Sequence, residues 1–124
     1  MFPSTALRAK SDFSLILFGA SGHLAKLKIF PALYFMALKG RFPKNFAIIG
    51  YARSALDDAG FRVQFAEAVR KNVEAVNEKV LTGLLAHVHF EQGQYDDLRG
   101  FRALAAKLQK IEEGWGEGDR KSVV

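Results

Sequence analysis

The sequence predicts an α/β domain built on an open parallel sheet with helices on both faces, incomplete at three strands plus the start of a fourth. Three observations predict it. Short apolar runs alternate with longer segments whose apolar positions recur every three or four residues, the pattern of buried strands between amphipathic helices. The first apolar run ends directly on a glycine-rich turn that opens a helix. The chain has 124 residues, 49% hydrophobic and 25% charged, which suffices for one core and leaves no room for a second lobe. Residues 1–12 read as an N-terminal tail and residues 13–124 as the domain.

Ser14-Leu15-Ile16-Leu17-Phe18 is the first strand, ending at Gly19. From Leu24 the apolar positions Leu24, Leu27, Pro31, Tyr34 or Phe35, and Leu38 share one helical face up to Gly40. Pro31 lacks a donor and clashes with the carbonyl four residues back. Either the helix kinks there, or a short turn precedes a second helix with Pro31 in its first turn. Phe46-Ala47-Ile48-Ile49-Gly50 is the second strand, after a turn marked by Pro43 and Asn45. Asp57 or Asp58 caps a helix carrying Phe61, Phe65, Ala68, Val69, Val73 and Val76, and a further helical stretch runs from Asn77 to Leu85. Ala86-His87-Val88-His89-Phe90 alternates as a third strand. Asp96 or Asp97 caps a last helix, with Leu98, Phe101, Leu104, Ala105, Leu108 and Ile111 on one face. After the polar, glycine-rich GWGEGDRK, Ser122-Val123-Val124 is short for a strand, so a fourth strand is expected only to begin.

Composition narrows the function. No apolar run reaches the roughly 18 to 20 residues that cross a bilayer, and MFPSTALRAKSDF has no signal-peptide core, so no membrane association is expected and the cytoplasm is the expected compartment. The absence of cysteine removes thiol catalysis, disulfides and cysteine-based zinc sites. His23, His87 and His89 are scattered in the sequence, two on a strand and one in a loop, and no metal is expected. The net charge of +5 suits an anionic partner. Lys and Arg are dispersed, and no aromatic-basic ladder accompanies them, so a small anion is favoured over nucleic acid.

The turn after the first strand, G-A-S-G-H-L-A, is a variant of the Rossmann dinucleotide fingerprint. Gly19 would make the tight turn, Gly22 would let the backbone approach a pyrophosphate, and Ala25 would let the helix pack on the sheet. Backbone N–H groups and the positive helix end would then face the anion. The nucleotide-hydrolysing loop GxxxxGK[ST] is absent, and Ser21 lacks the glycine two places on that a G-x-S-x-G nucleophile elbow needs. Spacing alone leaves two readings open, dinucleotide phosphate binding and an ordinary strand-to-helix turn. At the end of the second strand, Gly50-Tyr51-Ala52-Arg53-Ser54 carries no acid to bind ribose hydroxyls. An arginine there matches a 2'-phosphate in charge and forked geometry, which points to NADP; the plainer alternative is a solvated surface arginine.

The segments FGASGHLAKLKIFPALY, FPKNFAIIGYARSALDDAGFR and, more loosely, HFEQGQYDD closely resemble the amino-terminal, Rossmann-like coenzyme domain of the glucose-6-phosphate dehydrogenase family, over most of residues 13 to 111. The resemblance implies an oxidoreductase of the pentose phosphate pathway. That enzyme passes a hydride from C1 of glucose 6-phosphate to NADP and yields 6-phosphoglucono-1,5-lactone. It further implies that Gly19, Ala20, Ser21, Gly22, His23, Leu24, Ala25 and Lys26 line the coenzyme phosphates, that Arg53 holds the 2'-phosphate, and that Lys28 meets the sugar phosphate. Gln94 and Tyr95 stand where the family contacts the coenzyme from the third strand.

His23 replaces a usual aspartate and Leu27 a usual basic residue, which bears on coenzyme affinity and its pH dependence. The family's catalytic segment, R-I-D-H-Y-L-G-K-E, and its large β-sheet dimer domain lie beyond position 124. No catalytic residue is therefore expected in this chain, turnover by it alone is not expected, and a homo-oligomer is expected only with that domain. A non-catalytic dinucleotide-binding module and a basic α/β interaction protein are the alternatives.

Overall fold

A computed structural model describes residues 12–115 and the strand at 120–123; the expected tail at 1–12 lies, apart from Asp12, outside the described residues. The elements run β1 (Asp12–Phe18), a π-helical turn (Ala25–Ile29) that continues into α1 (Phe30–Leu38), β2 (Phe46–Ala52), α2 (Asp58–Asn72), α3 (Glu78–Leu85), β3 (Val88–Gln92), α4 (Leu98–Glu113) and β4 (Arg120–Val123). The sheet order is β3-β2-β1-β4 and every pairing is parallel, with Leu15 opposite Ile48 and Ile48 opposite Val88. This is the open, Rossmann-like α/β sheet that the alternating pattern predicts.

Several boundaries differ from expectation: β1 already starts at Asp12 rather than Ser14, and β2 runs past Gly50 to Ala52. The fourth strand is formed, pairing Asp12 with Arg120 through Leu15 with Val123, rather than merely begun at Ser122. A search for apolar runs passes over Arg120 and Lys121, whereas backbone pairing with β1 admits them. β3 starts two residues later than expected: Ala86 is still helical, His87 N–H donates to Leu84 O at 2.9 Å, and pairing starts where Ile48 N–H meets His87 O at 2.8 Å. His87 is thus in the turn before the strand, not on it. α2 stops at Asn72 because Val73 is extended (φ −126°, ψ 130°), although Val73 and Val76 still pack against the core.

Pro31 accounts for the π-helical turn. Phe30 N–H donates to Ala25 O, five residues back, so the ladder slips one residue just where Pro31 would clash in an α-helix. Pro31 then sits in the first turn of α1. Lys26 O, whose five-residue partner would be the N–H that Pro31 lacks, is approached by Asn72 Nδ2 of α2 at 3.5 Å. The N-caps are Asp57, accepting Gly60 N–H at 2.7 Å, Asn77, accepting Lys79 and Val80 N–H, and Asp97, accepting Arg99 N–H at 2.9 Å.

The sheet's two faces are covered unequally. On one, α1, α2 and α3 bury a cluster of 18 residues, with Phe30 stacked on Phe65 and edge-on to Phe61. On the other, α4 buries Ile16, Ala47, Ile49, Tyr51 and Leu104. Ser14, fully buried on that face, donates to Glu112 Oε2 at 2.8 Å. At the β3 edge, Arg62 Nε donates to Val88 O (2.7 Å), Phe90 N–H donates to Asp58 Oδ1 (2.7 Å), and Lys107 Nζ donates to Phe90 O (2.6 Å). Side chains of α2 and α4 thereby occupy the backbone groups that an open edge would offer to another strand.

Candidate functional site

The site lies at the carboxyl ends of the strands, where open parallel sheets bind ligands. β1 ends at Gly19, whose φ of +71° is left-handed and turns the chain sharply off the sheet. Gly19 N–H donates to Tyr51 O (3.0 Å), and Gly22 N–H closes the turn on Gly19 O (2.9 Å). Helical bonding then begins with Lys26 N–H to Gly22 O (3.3 Å), so the N–H groups of residues 23–25 form the first turn, which an α-helix leaves without internal partners. The loop is held from beneath by Ala20 and Ala25, both buried. It settles this low because β2 carries Gly50: a Cβ there would lie 2.7 Å from Phe61 Cζ and 2.8 Å from Ala20 Cβ.

The end of β2 forms the second wall. Ser54 Oγ donates to Ser21 Oγ (2.8 Å), joining this loop to the glycine turn, and Gln92 Nε2 donates to Arg53 O (3.1 Å), fixing the backbone that presents Arg53. The third wall follows β3. Tyr51, fully buried, donates its hydroxyl to Gln94 O at 2.7 Å. Burial, reinforced by the charges of Asp97 and Glu91, pushes the Tyr51 phenol above its ordinary range and keeps it a donor. Tyr95 reaches across: its hydroxyl accepts Gly19 N–H (2.5 Å) and donates to Tyr51 O (3.1 Å). Phe18, Tyr51, Tyr95 and Phe101 form one aromatic cluster beside the cleft.

These walls enclose about 540 Å³, lined by Gly19, Ser21 and Gly22, by Ala52, Arg53 and Ser54, and by Gln94 and Tyr95. No Asp or Glu lines the cleft. Arg53 is exposed, and among the described residues no carboxylate pairs with it. The arrangement offers an anion a free guanidinium, two hydroxyls and the start of a helix, the chemistry of a phosphate cradle.

The structure does not gather every expected residue here. His23 and Lys26 line a separate cleft of about 240 Å³ against α2, beside Leu27, Gln64, Lys71 and Asn72. Lys28 is exposed and lines neither cleft, and Leu24 is 67% exposed. Ala20 and Ala25 face the core. Sequence reasoning missed Ala52, Ser54 and Gly50. Ser54, a hydroxyl directly beside the arginine of an acid-free loop, was the one with a readable signal. Gly50 looked like an ordinary strand end, because its neighbours Ala20 and Phe61 are distant along the chain.

Comparisons with known proteins agree with this geometry. The family model described as glucose-6-phosphate dehydrogenase, NAD binding domain, matches residues 16–124. A chloroplastic glucose-6-phosphate 1-dehydrogenase of Nicotiana tabacum is 40% identical over 110 residues, covering 86% of this chain and 18% of the relative. The glucose-6-phosphate 1-dehydrogenase of Hanseniaspora uvarum is 34% identical over 111 residues, covering 87% of this chain and 22% of the relative. A solved glucose-6-phosphate dehydrogenase in complex with its substrate glucose-6-phosphate superposes with a TM-score of 0.77 at 30% identity, covering 92% of this chain and 24% of that one. The chain thus spans about a fifth of the length of the curated relatives it matches. The matched residues include the glycine turn, the acid-free arginine loop and the parallel sheet that positions both, and the chain belongs to the glucose-6-phosphate dehydrogenase NAD-binding-domain family.

Proposed function

We propose that the chain is the NADP-binding part of a glucose-6-phosphate dehydrogenase, in which glucose 6-phosphate loses hydride from C1 and becomes 6-phosphoglucono-1,5-lactone. One observation carries the coenzyme reading: Arg53, exposed and without a carboxylate partner among the described residues, stands on the same acid-free cleft as Gly19, Ser21 and Gly22. The residues present fit the coenzyme. The N–H groups of the helix start and Ser21 suit a pyrophosphate, Arg53 with Ser54 suits a 2'-phosphate, and Gln94 and Tyr95 bound the remaining wall. When bound, NADP supplies the hydride acceptor.

The work of this chain's residues is to bind and orient. The Ser21–Ser54 hydrogen bond holds the two phosphate-facing loops at fixed spacing, and Gln92 fixes the backbone from which Arg53 extends. His87 Nδ1 lies 2.9 Å from Phe46 O and His89 Nδ1 lies 3.4 Å from Asp58 Oδ2, both outside the cleft lining, so neither is assigned as the base. His23 and Lys26, on the neighbouring cleft, and Lys28 are proposed to come into use with the rest of a longer enzyme, Lys28 toward the sugar phosphate. The cytoplasm is the proposed compartment, and the chloroplastic relatives make the plastid its rival; among the described residues no helix is long and apolar enough to cross a membrane.

Calorimetric titration of NADP and NAD into wild type and Arg53→Ala tests the coenzyme reading. The arginine's charge-assisted hydrogen bonds are worth roughly 1.5–3 kcal/mol, so the variant is expected to lose about 10- to 100-fold in NADP affinity with NAD affinity little changed. Absent NADP binding, or an NADP preference that survives Arg53→Ala, overturns it.

A further inference from the structure

The opposite end of the sheet carries a second groove, of about 330 Å³, that the coenzyme reading does not use. It is separated from the coenzyme cleft by the length of β2, seven residues or roughly 20 Å. Phe46 and His87, at the amino ends of β2 and β3, form its base, and α1 and α3 contribute its apolar walls through Ala37, Val80 and Leu84. Phe42 stacks on Phe46 (4.3 Å, 7° between planes) and Phe46 stacks on His87 (3.9 Å, 15°), giving a column of three nearly parallel rings that ends in the imidazole. His87 Nδ1 lies 2.9 Å from Phe46 O, which can only accept, so Nδ1 carries the proton and Nε2 is left for other partners.

Charge and glycine placement then indicate the occupant. Lys44 and Lys79 line the groove, both exposed and, among the described residues, without a carboxylate partner, and no described acid lines it. Glu78, adjacent in sequence, is held by Arg70 at 2.7 Å. Between the groove residues Gly40 and Phe42, Arg41 keeps a buried Nε with no hydrogen-bond partner among the described residues. Gly83 lies within α3, where glycine weakens a helix relative to alanine, yet a Cβ at Gly83 would meet nothing within 4 Å. Neither packing nor backbone conformation demands that glycine; its effect is to keep the groove wall low.

The geometry points to a binding site for a small aromatic carboxylate, its ring laid over Gly83 and beside His87, the half-buried end of a ring column whose Phe42 and Phe46 are buried, its carboxylate met by Lys44 and Lys79. An apolar body is wanted by the walls, a planar one by the flat imidazole end of the ring column, and an anionic head by a rim with two lysines unpaired among the described residues and no described acid.

The probe is 2-naphthoate, titrated into the 124-residue chain and followed by amide chemical shifts, with the uncharged 2-naphthylmethanol as control. Saturable shifts centred on Val80–Leu84 and His87 are expected. The neutral control is expected to bind about fivefold more weakly, and Lys44→Glu/Lys79→Glu and Gly83→Leu each about tenfold more weakly. NADP affinity is expected to stay within about twofold of wild type in both variants, which separates this site from the coenzyme cleft. The charge-reversal pair is on the surface and keeps the test valid if Gly83→Leu does not fold. Non-saturable binding, shifts lying elsewhere, or unchanged naphthoate affinity in Lys44→Glu/Lys79→Glu overturns the assignment.

Discussion

The two faces of the sheet are made of the same three long strands, yet they do different work. Under α1, α2 and α3, 18 buried residues with interlocking phenylalanines form the main core; under α4, five do, and Phe18 beside them remains 44% exposed. The glycine loop rests on the larger core through Ala20, Ala25 and Gly50, whereas the aromatic cluster that bounds the cleft, Phe18, Tyr51, Tyr95 and Phe101, belongs to the smaller one. The difference teaches where the site's two walls get their support: the glycine turn is set by close packing on the heavily covered face. The cleft's far wall depends on the hydrogen bonds that the Tyr51 and Tyr95 hydroxyls donate to Gln94 O and Tyr51 O on the lightly covered one.

The contrast can be broken by mutation. The largest expected effect is Phe61→Ala on the heavy face, a fully buried ring against Phe30, Phe65 and Phe90, costing about 3–5 kcal/mol by urea unfolding. Leu104→Ala, the buried centre of α4, should cost less, about 2–3 kcal/mol; a larger loss than Phe61→Ala would reverse the ranking of the faces. Gly50→Ala should cost about 1–3 kcal/mol, because its Cβ has no room beside Phe61 and Ala20. It should also weaken NADP binding, since relief comes by lifting the loop; intact binding in a destabilised variant would show that the loop does not rest on that packing. Gly83→Ala, in α3 on the heavy face, should instead stabilise by about 1 kcal/mol, since helix propensity improves and the Cβ meets nothing.

The smallest effect concerns the β3 edge, where α2 and α4 are laced across the two faces. Burial would raise the Asp58 carboxyl, but Lys107, the Phe90 N–H and His89 together bring it below its ordinary value. Burial of the His89 imidazole lowers it below its ordinary 6.5, against the opposing effect of its hydrogen bond to Asp58. A depressed carboxyl contributes stability above the ordinary carboxylate range and loses it as pH falls through the folded value. A depressed histidine resists protonation in the folded state, so stability also falls as pH drops below about 6.5. The urea midpoint should therefore decline in two stages on acidification. His89→Gln should flatten the stage that begins below about pH 6.5, and Asp58→Asn the stage below about pH 4. An unchanged slope in both variants would show that this edge does not link the faces through titration.

What could be read from the sequence was whatever neighbours along the chain decide. The helical periods, the N-caps of α2 and α4 narrowed to two candidates each, the turn at Gly19 and the acid-free arginine after β2 are local terms of backbone geometry and side-chain chemistry. They carried the fold class and half of the cleft. Pro31 announced a break and left two forms for it, of which a turn before a helix with Pro31 in its first turn is the one observed.

Tertiary structure decided the rest, because each decision needs a partner far along the chain. Asp57 rather than Asp58 caps α2 because Asp58 is drawn to Phe90 and Lys107, 32 and 49 positions on. Ser54 joins the cleft through Ser21, 33 positions back. Tyr95 reaches Gly19 across 76 positions. β4 exists because β1 offers it a free edge. The sequence by itself determined which segments become the first three strands and the helices between them, and where glycines and an arginine stand at the strand ends. Only the assembled sheet decided which side chains meet there, since burial and hydrogen-bond satisfaction are settled between elements and not within them.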